Sequence, residues 1–286
     1  MYRFMQLDQN ALGPTGNGES SLRSLHSLNI FDKPAAFRKS RLGLAVLVLA
    51  VAALTLCVSP ASAFNLIPMS ADMTPAGAEA STTFRVVNST DQPIAVQISM
   101  HTRKMDLDGS DILEDAEDDF LVFPPQMVLN PKESQVVRLK WIGTQTPTTE
   151  IAHRIIAEQV PVQLTRVEPG RGNINVLIRY LGSVYIVPKG VKPEVEVEQI
   201  STVKNDDGTR QLEVTCVNRG GAHTLLRDAE LTVNSGGNSV TLTGEQLASL
   251  LGANVLAGAK RRFYLPWPEG LTDGPLEASL KYTPQR

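Results

Sequence analysis

The feature that most constrains the fold of this chain is a two-residue alternation of apolar and polar side chains, which recurs in short runs from residue 82 onward. Alternation with period two places the apolar side chains on one face of a β-strand. The runs are separated by turn-forming residues, such as Asp108-Gly109 and Glu168-Pro169-Gly170. Several short strands with regularly spaced turns before residue 188 predict an antiparallel sandwich of immunoglobulin type.

A second alternating region begins after residues 188–193, which are rich in proline and lysine and predict a stiff, basic linker. The only helix expected there is a short one at residues 244–251. We therefore predict an all-β chain with two immunoglobulin-like β-sandwich domains, at residues 64–188 and 189–286.

Residues 1–63 form a different kind of segment, an N-terminal extension with a signal peptide. The basic stretch Arg38-Lys39-Ser40-Arg41 precedes an apolar run at 42–58 and the small-residue site Ala61-Ser62-Ala63. This order is typical of a secretory signal peptide and predicts cleavage after Ala63, with export to the periplasm. The alternative is a transmembrane anchor, since the apolar run is just long enough to span a bilayer. The helix-breaking Pro60 favours cleavage.

Composition excludes several classes of function. The chain has 27 Lys and Arg against 30 Asp and Glu, and only 5% aromatic residues, so a nucleic-acid partner is not expected. Two cysteines and four histidines leave little for a metal site. Cleavage after Ala63 leaves Cys216 as the only cysteine, and its place in an apolar alternation predicts a small core residue.

No catalytic motif emerges from the residues that carry chemistry. His101, His153 and His223 lie beside no nucleophile motif and are expected to be strand or turn residues. The acidic stretch at 106–119 fits a calcium loop poorly, because Gly109 falls at its fourth position and not its sixth. A solvated hairpin that turns at Asp108-Gly109 is the better interpretation. We predict no enzyme, no cofactor, no metal and no small-molecule substrate.

The segment FPPQMVLNPKESQVVRL at residues 123–139 gives the first indication of function. It resembles the PapD-like family of periplasmic chaperones for chaperone–usher fimbriae, in which a Pro-Pro pair and a Leu-x-Pro precede a strand that ends in Val-Arg. The resemblance continues through the strand at 151–160 to the strand at 174–188. It implies two immunoglobulin-like domains in a boomerang arrangement. It also implies fimbrial (pilin) or spore-coat-like subunits and an outer-membrane usher as partners, without ATP.

The strand at 174–188 is the one that the resemblance implies is lent to a subunit. One face of it is formed by Ile174, Val176, Ile178 and Tyr180. In donor-strand complementation this face fills the open groove of a subunit while the backbone pairs with the subunit's exposed edge. The alternative is that these residues fill the domain's own core. The protein would then be a self-complete structural or adhesive protein of the cell envelope.

The resemblance also implies an interdomain ion-pair set and an anchor for the subunit's C-terminal carboxylate. The ion-pair set maps onto Arg138, Glu150 and Asp273. The best-studied members use an Arg in the first strand and a Lys in the last as the anchor. Here Ser183 stands in place of that Lys, and the first-strand region has no basic residue. The candidates that we name for the anchor are Arg154, Arg179 and Lys189.

Overall fold

The structure, a computed structural model, describes residues 64–161 and 177–285. The predicted signal peptide and two residues of the predicted donor face, Ile174 and Val176, lie outside the described residues. Within them every regular element is a strand, apart from three 3-10 helices of three or four residues. The predicted all-β fold is therefore confirmed.

Ten strands form the first sandwich. They are β1 (Phe64–Ile67), β2 (Ser70–Met73), β3 (Ser81–Asn88), β4 (Ile94–Met105), β5 (Asp111–Asp115), β6 (Phe120–Phe123), β7 (Gln126–Leu129), β8 (Ser134–Trp141), β9 (Ile151–Val160) and β10 (Arg179–Ile186). Short 3-10 helices occupy Ala78–Ala80 and Glu117–Asp119.

Seven strands form the second sandwich. They are β11 (Val195–Lys204), β12 (Arg210–Asn218), β13 (Thr224–Ser235), β14 (Asn238–Leu242), β15 (Asn254–Val255), β16 (Lys260–Pro266) and β17 (Leu276–Gln285). A 3-10 helix at Gly244–Leu247 covers the first half of the predicted helix, and a capping box between Thr243 and Gln246 begins it.

Two sheets enclose the core of the first sandwich. One has the order β1-β3-β8-β6, and the other β2-β10-β9-β4-β5, with β7 also paired to β4. Phe84 and Leu139 from the first sheet meet Ile155 and Val184 from the second in a single buried cluster. Because side chains alternate along each strand, the intervening residues of β9 and β10 lie on the face turned away from this core.

The β4–β5 hairpin turns where the Asp108-Gly109 pair predicted it, with Met105 opposite Asp111. Gly109 has a φ of 88°, a conformation that glycine adopts without strain. Asp106 Oδ1 accepts hydrogen bonds from the backbone N–H groups of Asp108 (3.0 Å) and Ser110 (2.7 Å), which holds the turn. The hairpin tip is not simply solvated, however, because it contacts the second sandwich.

The strand β10 has different neighbours along its length. It pairs with β9 from Arg179 to Ile186, but with β2 only from Ser183 to Ile186. The parallel strand β2 therefore covers only the second half of that edge of β10. On the edge opposite β9, no strand of the described ranges pairs with residues 179–182.

The second sandwich has its own core, and the segment predicted as a linker lies between the two sandwiches. Sheet β11-β12-β16 contributes Val214 and Phe263, and the sheet built around β13 contributes Leu231 and Val233. Cys216 is fully buried, and burial raises the pKa of its thiol to about 12, as suits an inert core residue.

Candidate functional site

A partly buried carboxylate, that of Asp111, joins two arginines on the outer face of the β10-β9-β4 sheet. Asp111 Oδ1 lies 2.7 Å from Arg103 Nε, and Asp111 Oδ2 lies 2.7 Å from Arg154 Nε. The three side chains are 16%, 6% and 15% exposed respectively. Burial by itself raises the pKa of Asp111, but the hydrogen bonds and charges of Arg154 and Arg103 outweigh burial and hold the pKa below its usual value.

The strand register explains why these arginines meet. Arg154 on β9 lies opposite His101 on β4 and Ser183 on β10. Arg103 follows two residues after His101, so it shares their face of the sheet. Arg154 Nη1 donates to Ser183 Oγ at 2.6 Å, and Arg103 Nη1 donates to the Tyr185 hydroxyl at 2.8 Å. These hydroxyl partners are neutral, so Asp111 is the carboxylate that both guanidinium groups share.

The hairpin that carries Asp111 is held at its tip by β16 of the second sandwich. Asp108 Oδ1 accepts hydrogen bonds from Arg262 Nε (3.0 Å) and Nη2 (2.7 Å), and the Leu107 carbonyl accepts one from the Arg262 backbone (2.6 Å). Gly109 packs directly on Arg261, since a Cβ on Gly109 would lie 2.5 Å from Arg261 Nε. The β4–β5 hairpin therefore bridges the two sandwiches.

Arg261 adds a third guanidinium group near this cluster. Its Nη1 donates to the Asn254 carbonyl at 2.8 Å, but its buried Nε has no hydrogen-bond partner among the described residues. Burial lowers the pKa of Arg261, and the charge of Arg103 lowers it further, while Asp106 acts in the opposite direction. This region therefore contains a guanidinium donor that no described residue satisfies.

A second buried cluster joins the sandwiches through Glu150, the residue before β9. Its carboxylate lies 2.7 Å from His223 Nδ1 and 3.2 Å from the His223 backbone nitrogen. The His223 ring stacks on Tyr185 with centroids 3.6 Å apart. The Tyr185 hydroxyl also accepts a hydrogen bond from Asn254 Nδ2 at 2.8 Å, so Tyr185 contacts both clusters.

A cleft of about 390 Å³ opens beside these clusters, where β4 and β9 diverge after the pair Thr102–His153. Its walls are residues 102–105 of β4, residues 150–152 at the start of β9, and residues 256–259 of the second sandwich. The cleft gives a partner access to the neighbourhood of Arg103.

Comparison with known families agrees with this architecture. Residues 73–192 match a family model described as the N-terminal domain of PapD, a pili and flagellar-assembly chaperone. Over these residues the chain is similar to the PapD-like family of pilus-assembly chaperones. This family is non-enzymatic, which agrees with the predicted lack of an enzyme activity.

Solved structures of PapD-like chaperones have low sequence identity to this chain. A chain from a chaperone–tip adhesin complex of CFA/I fimbriae biogenesis is 16% identical, with a TM-score of 0.46 over 78% of this chain and 100% of that one. The class 5 fimbriae chaperone CfaA is 15% identical, with a TM-score of 0.47 over 77% and 100%. A chain of the CsuC–CsuE chaperone–tip adhesion subunit complex, from the archaic Csu pili of Acinetobacter baumannii, is 15% identical. Its TM-score is 0.46 over 71% of this chain and 90% of that one.

Comparison with curated proteins gave no match. Because the solved structures are so distant, the roles of individual residues in this PapD-like protein rest on its own geometry. In the part of the chain that the structure describes, no helix has the length and apolar character needed to cross a bilayer.

The residues predicted as an interdomain ion-pair set do not meet in the described ranges. Arg138 is exposed on β8, opposite Phe123. Glu150 pairs with His223, and Asp273 pairs with Arg210 at 2.6 Å within the second sandwich. Arg138 and Glu150 do not meet because Arg138 points outward from one sheet, whereas Glu150 precedes a strand of the other.

The three residues predicted as anchors for the subunit carboxylate also lie in different places. Arg154 lies in the buried arginine cluster, whereas Arg179 and Lys189 are exposed at the two ends of β10. The residues that the sequence-based prediction missed are Arg103, Asp111, Arg261 and His223. The two-residue period does place Arg103 on the face of His101, but no local pattern says which strands become neighbours.

The predicted donor face is only partly described. Ile178 and Tyr180 are half-buried and pack against the first core, with the Tyr180 ring 4.9 Å from that of Phe64. In the free protein these two residues of the predicted donor face therefore have partners in the chaperone's own core. Exposed apolar side chains alternate with them, at Leu177 (48%) and Leu181 (36%).

Proposed function

We propose that this PapD-like protein is a periplasmic chaperone that binds fimbrial subunits by donor-strand complementation and delivers them to an outer-membrane usher. The observation that carries the proposal is the uncovered edge of β10 between Arg179 and Gly182, which ends beside the buried arginine cluster. A backbone edge supplies affinity by strand pairing, and a charged end point fixes the register of the added strand.

The uncovered edge is suited to an added strand. Backbone groups at a sheet edge favour pairing with another chain, which is why natural proteins cover or blunt such edges. Here β2 covers β10 only from Ser183 onward. A subunit strand that pairs with residues 179–182 therefore runs up to the start of β2 and ends near Ser183.

In this proposal the predicted donor face has two parts, one that binds the subunit and one that packs on the chaperone's own core. By the two-residue period, Ile174 and Val176 continue the face of Ile178 and Tyr180. The latter pair packs on the chaperone's own core. We infer that Ile174 and Val176 enter the subunit groove, while Ile178 and Tyr180 hold the same strand to the chaperone.

Arg154 is the proposed anchor for the subunit's C-terminal carboxylate. Its guanidinium group reaches the Ser183 hydroxyl at 2.6 Å, and Ser183 is the residue at which the uncovered edge of β10 ends. Arg154 thus brings a positive charge from the neighbouring strand to the position where the resemblance implies a Lys. Arg103 shares this site through Asp111. The exposed residues Arg179 and Lys189 remain alternative anchors.

The remaining elements of the proposal follow from the N-terminal sequence and from the resemblance to the PapD-like family. The chain is exported by its signal peptide, which is cleaved after Ala63, and it acts in the periplasm. It needs no ATP, since the folding of the released subunit drives transfer at the usher.

One observation favours the alternative of a self-complete envelope protein. Ile178 and Tyr180 already pack in the first sandwich, so this part of the strand has a partner without any subunit. The uncovered edge of β10 beside them distinguishes the two functions, because a self-complete protein does not require an unpaired edge to which a subunit strand can be added.

Capture of a co-expressed subunit tests the proposal. Val176→Asp places a charge on the donated face, and we expect it to abolish subunit capture while the free protein keeps its melting temperature, since an unpaired charge in an apolar groove is strongly unfavourable. Asn175→Asp is the matched control on the opposite face and is expected to retain capture. Loss of capture only in proportion to lost stability would support the self-complete alternative.

A further inference from the structure

We infer that Asp111 is an internal stand-in for the ligand carboxylate: it occupies the arginine site in the free protein, and an incoming carboxylate displaces it. This inference rests on the proposed function, because it concerns the same arginine site. It adds the residue that competes with the ligand carboxylate and the segment that moves.

The first support is the geometry of the Asp111 carboxylate. Each of its two oxygens is 2.7 Å from the Nε of a different arginine, Arg103 or Arg154. A site that binds two oxygens from two sides matches the planar, two-oxygen shape of a carboxylate. A terminal carboxylate offers the same two oxygens, so it can replace Asp111 without a change in the arginines.

The second support is the free-energy cost of Arg103 and Arg154 without a carboxylate partner. Arg103 and Arg154 are 6% and 15% exposed, and an unpaired charge at such burial is strongly unfavourable. An internal carboxylate removes that cost in the free protein. Binding then exchanges one carboxylate for another, which leaves the charge at the site unchanged.

The third support is that the carboxylate sits on a separable element. The strand β5 pairs only with β4 among the described strands, so it forms an edge of its sheet. Its tip is tied to β16 by the ion pair of Asp108 and Arg262, whose side chains are 60% and 27% exposed, and by the hydrogen bond from the Arg262 backbone to the Leu107 carbonyl. Exposed ion pairs contribute little stability, so β5 can leave the site while β4, which carries Arg103, and β9, which carries Arg154, keep their positions.

The unpartnered Nε of Arg261 also favours an incoming anion. Arg261 lies close enough to Arg103 for the two charges to oppose one another, and its buried Nε has no hydrogen-bond partner among the described residues. Asp111 therefore does not satisfy the donors of this region completely. An incoming carboxylate finds donors here even before Asp111 has left.

Acetate, with acetamide as its uncharged counterpart, is the probe for this inference. Thermal melts of the mature chain are measured for the wild type and for Asp111→Asn, each with increasing acetate at constant ionic strength. We expect Asp111→Asn to melt at a lower temperature without acetate and to be stabilised by acetate, because its two arginines have lost their partner. The apparent acetate affinity of the variant is expected to exceed that of the wild type by about tenfold or more.

Three controls make the acetate result specific. Asp108→Asn removes a carboxylate from the same hairpin but not from the arginine pair, so acetate is expected to have no added effect. Arg154→Ala in the Asp111→Asn background is expected to abolish the acetate response. If Asp111→Asn folds only when a ligand is present, its yield of folded protein is measured in acetate and in acetamide. A higher yield in acetate then replaces the shift in melting temperature as the evidence for binding. Equal responses of the wild type and Asp111→Asn to acetate would overturn the inference.

Subunit capture separates this inference from the proposed function. If Arg154→Ala loses a co-expressed subunit but Asp111→Asn gains no acetate response, Arg154 remains the anchor and the stand-in role of Asp111 is wrong. If Asp111→Asn gains the acetate response but Arg154→Ala captures the subunit normally, the displacement by carboxylate stands and the proposed anchor is wrong.

Discussion

The carboxylate of Glu150, just before β9 in the first sandwich, lies 2.7 Å from Nδ1 of His223 in the second. The two side chains are 1% and 3% exposed, and the His223 backbone N–H also points at the carboxylate. Glu150 and His223 therefore connect the two sandwiches through a buried contact, in place of the three-residue ion-pair set that the family resemblance implies.

Removal of the Glu150 carboxylate is expected to weaken the contact between the sandwiches. Glu150→Ala leaves the His223 N–H and ring without an acceptor, and we expect a loss of about 1–3 kcal/mol in the free energy of unfolding. Glu158→Ala, an exposed position on β9, is the control and is expected to change stability little. Urea unfolding measures both, and equal losses for the two variants would contradict this role of Glu150.

A double-mutant cycle distinguishes the two possible partners of Glu150. Glu150→Ala and His223→Ala are expected to be non-additive, because the residues are in direct contact. Arg138→Ala and Glu150→Ala are expected to add to within about 0.5 kcal/mol, because Arg138 is exposed on the other sheet. A large coupling energy between Arg138 and Glu150 in solution would restore the ion-pair set that the resemblance implies.

Protonation of His153 is expected to make the first sandwich sensitive to acid. The side chain is fully buried against Phe120 and Trp141, with ring centroids 4.9 and 5.3 Å away, and burial lowers its pKa to about 4. The unfolded chain therefore takes up the proton at a higher pH than the folded one. Stability is complete above the unfolded value of about 6.5 and falls by about 3 kcal/mol as the pH decreases towards 4.

Unfolding measured between pH 4 and 7 checks this prediction. His153→Phe is expected to flatten the profile in this range, whereas His101→Phe, a less buried position on β4, is the control. Asp111 contributes its own loss of stability at lower pH, since its pKa in the folded state lies below the usual value. A profile that His153→Phe leaves unchanged would assign the acid sensitivity to other groups.

Export is expected to leave Phe64 as the first residue of the mature protein. Phe64 begins β1 and is buried, with 1% of its surface exposed, so a strand begins directly after the predicted cleavage site. N-terminal sequencing of the protein from a periplasmic extract tests this directly. Recovery of residues 42–58 with the protein in the membrane fraction would support an anchor instead.

Much of the fold was predictable because strands and turns leave local signals. The alternation in residues 135–141 corresponds to β8, and the Asp108-Gly109 pair corresponds to the β4–β5 turn. The motif at residues 123–139 lies within the matched family region. Each of these features depends on residues that are close together in the sequence, so one short window contains the whole signal.

The sequence by itself determined the strands with a clear alternation, such as β8 and β9, and the face on which each of their side chains lies, because the two-residue period is a property of the single strand. Only the tertiary structure decided which strands became neighbours. Arg103, Asp111 and Arg154 come from three strands, and β2 covers half of one edge of β10 because its parallel register begins at Ser183. Pairing between distant strands depends on the packing of the whole sandwich, and for that reason the buried arginine site and the Glu150–His223 contact have no local signature.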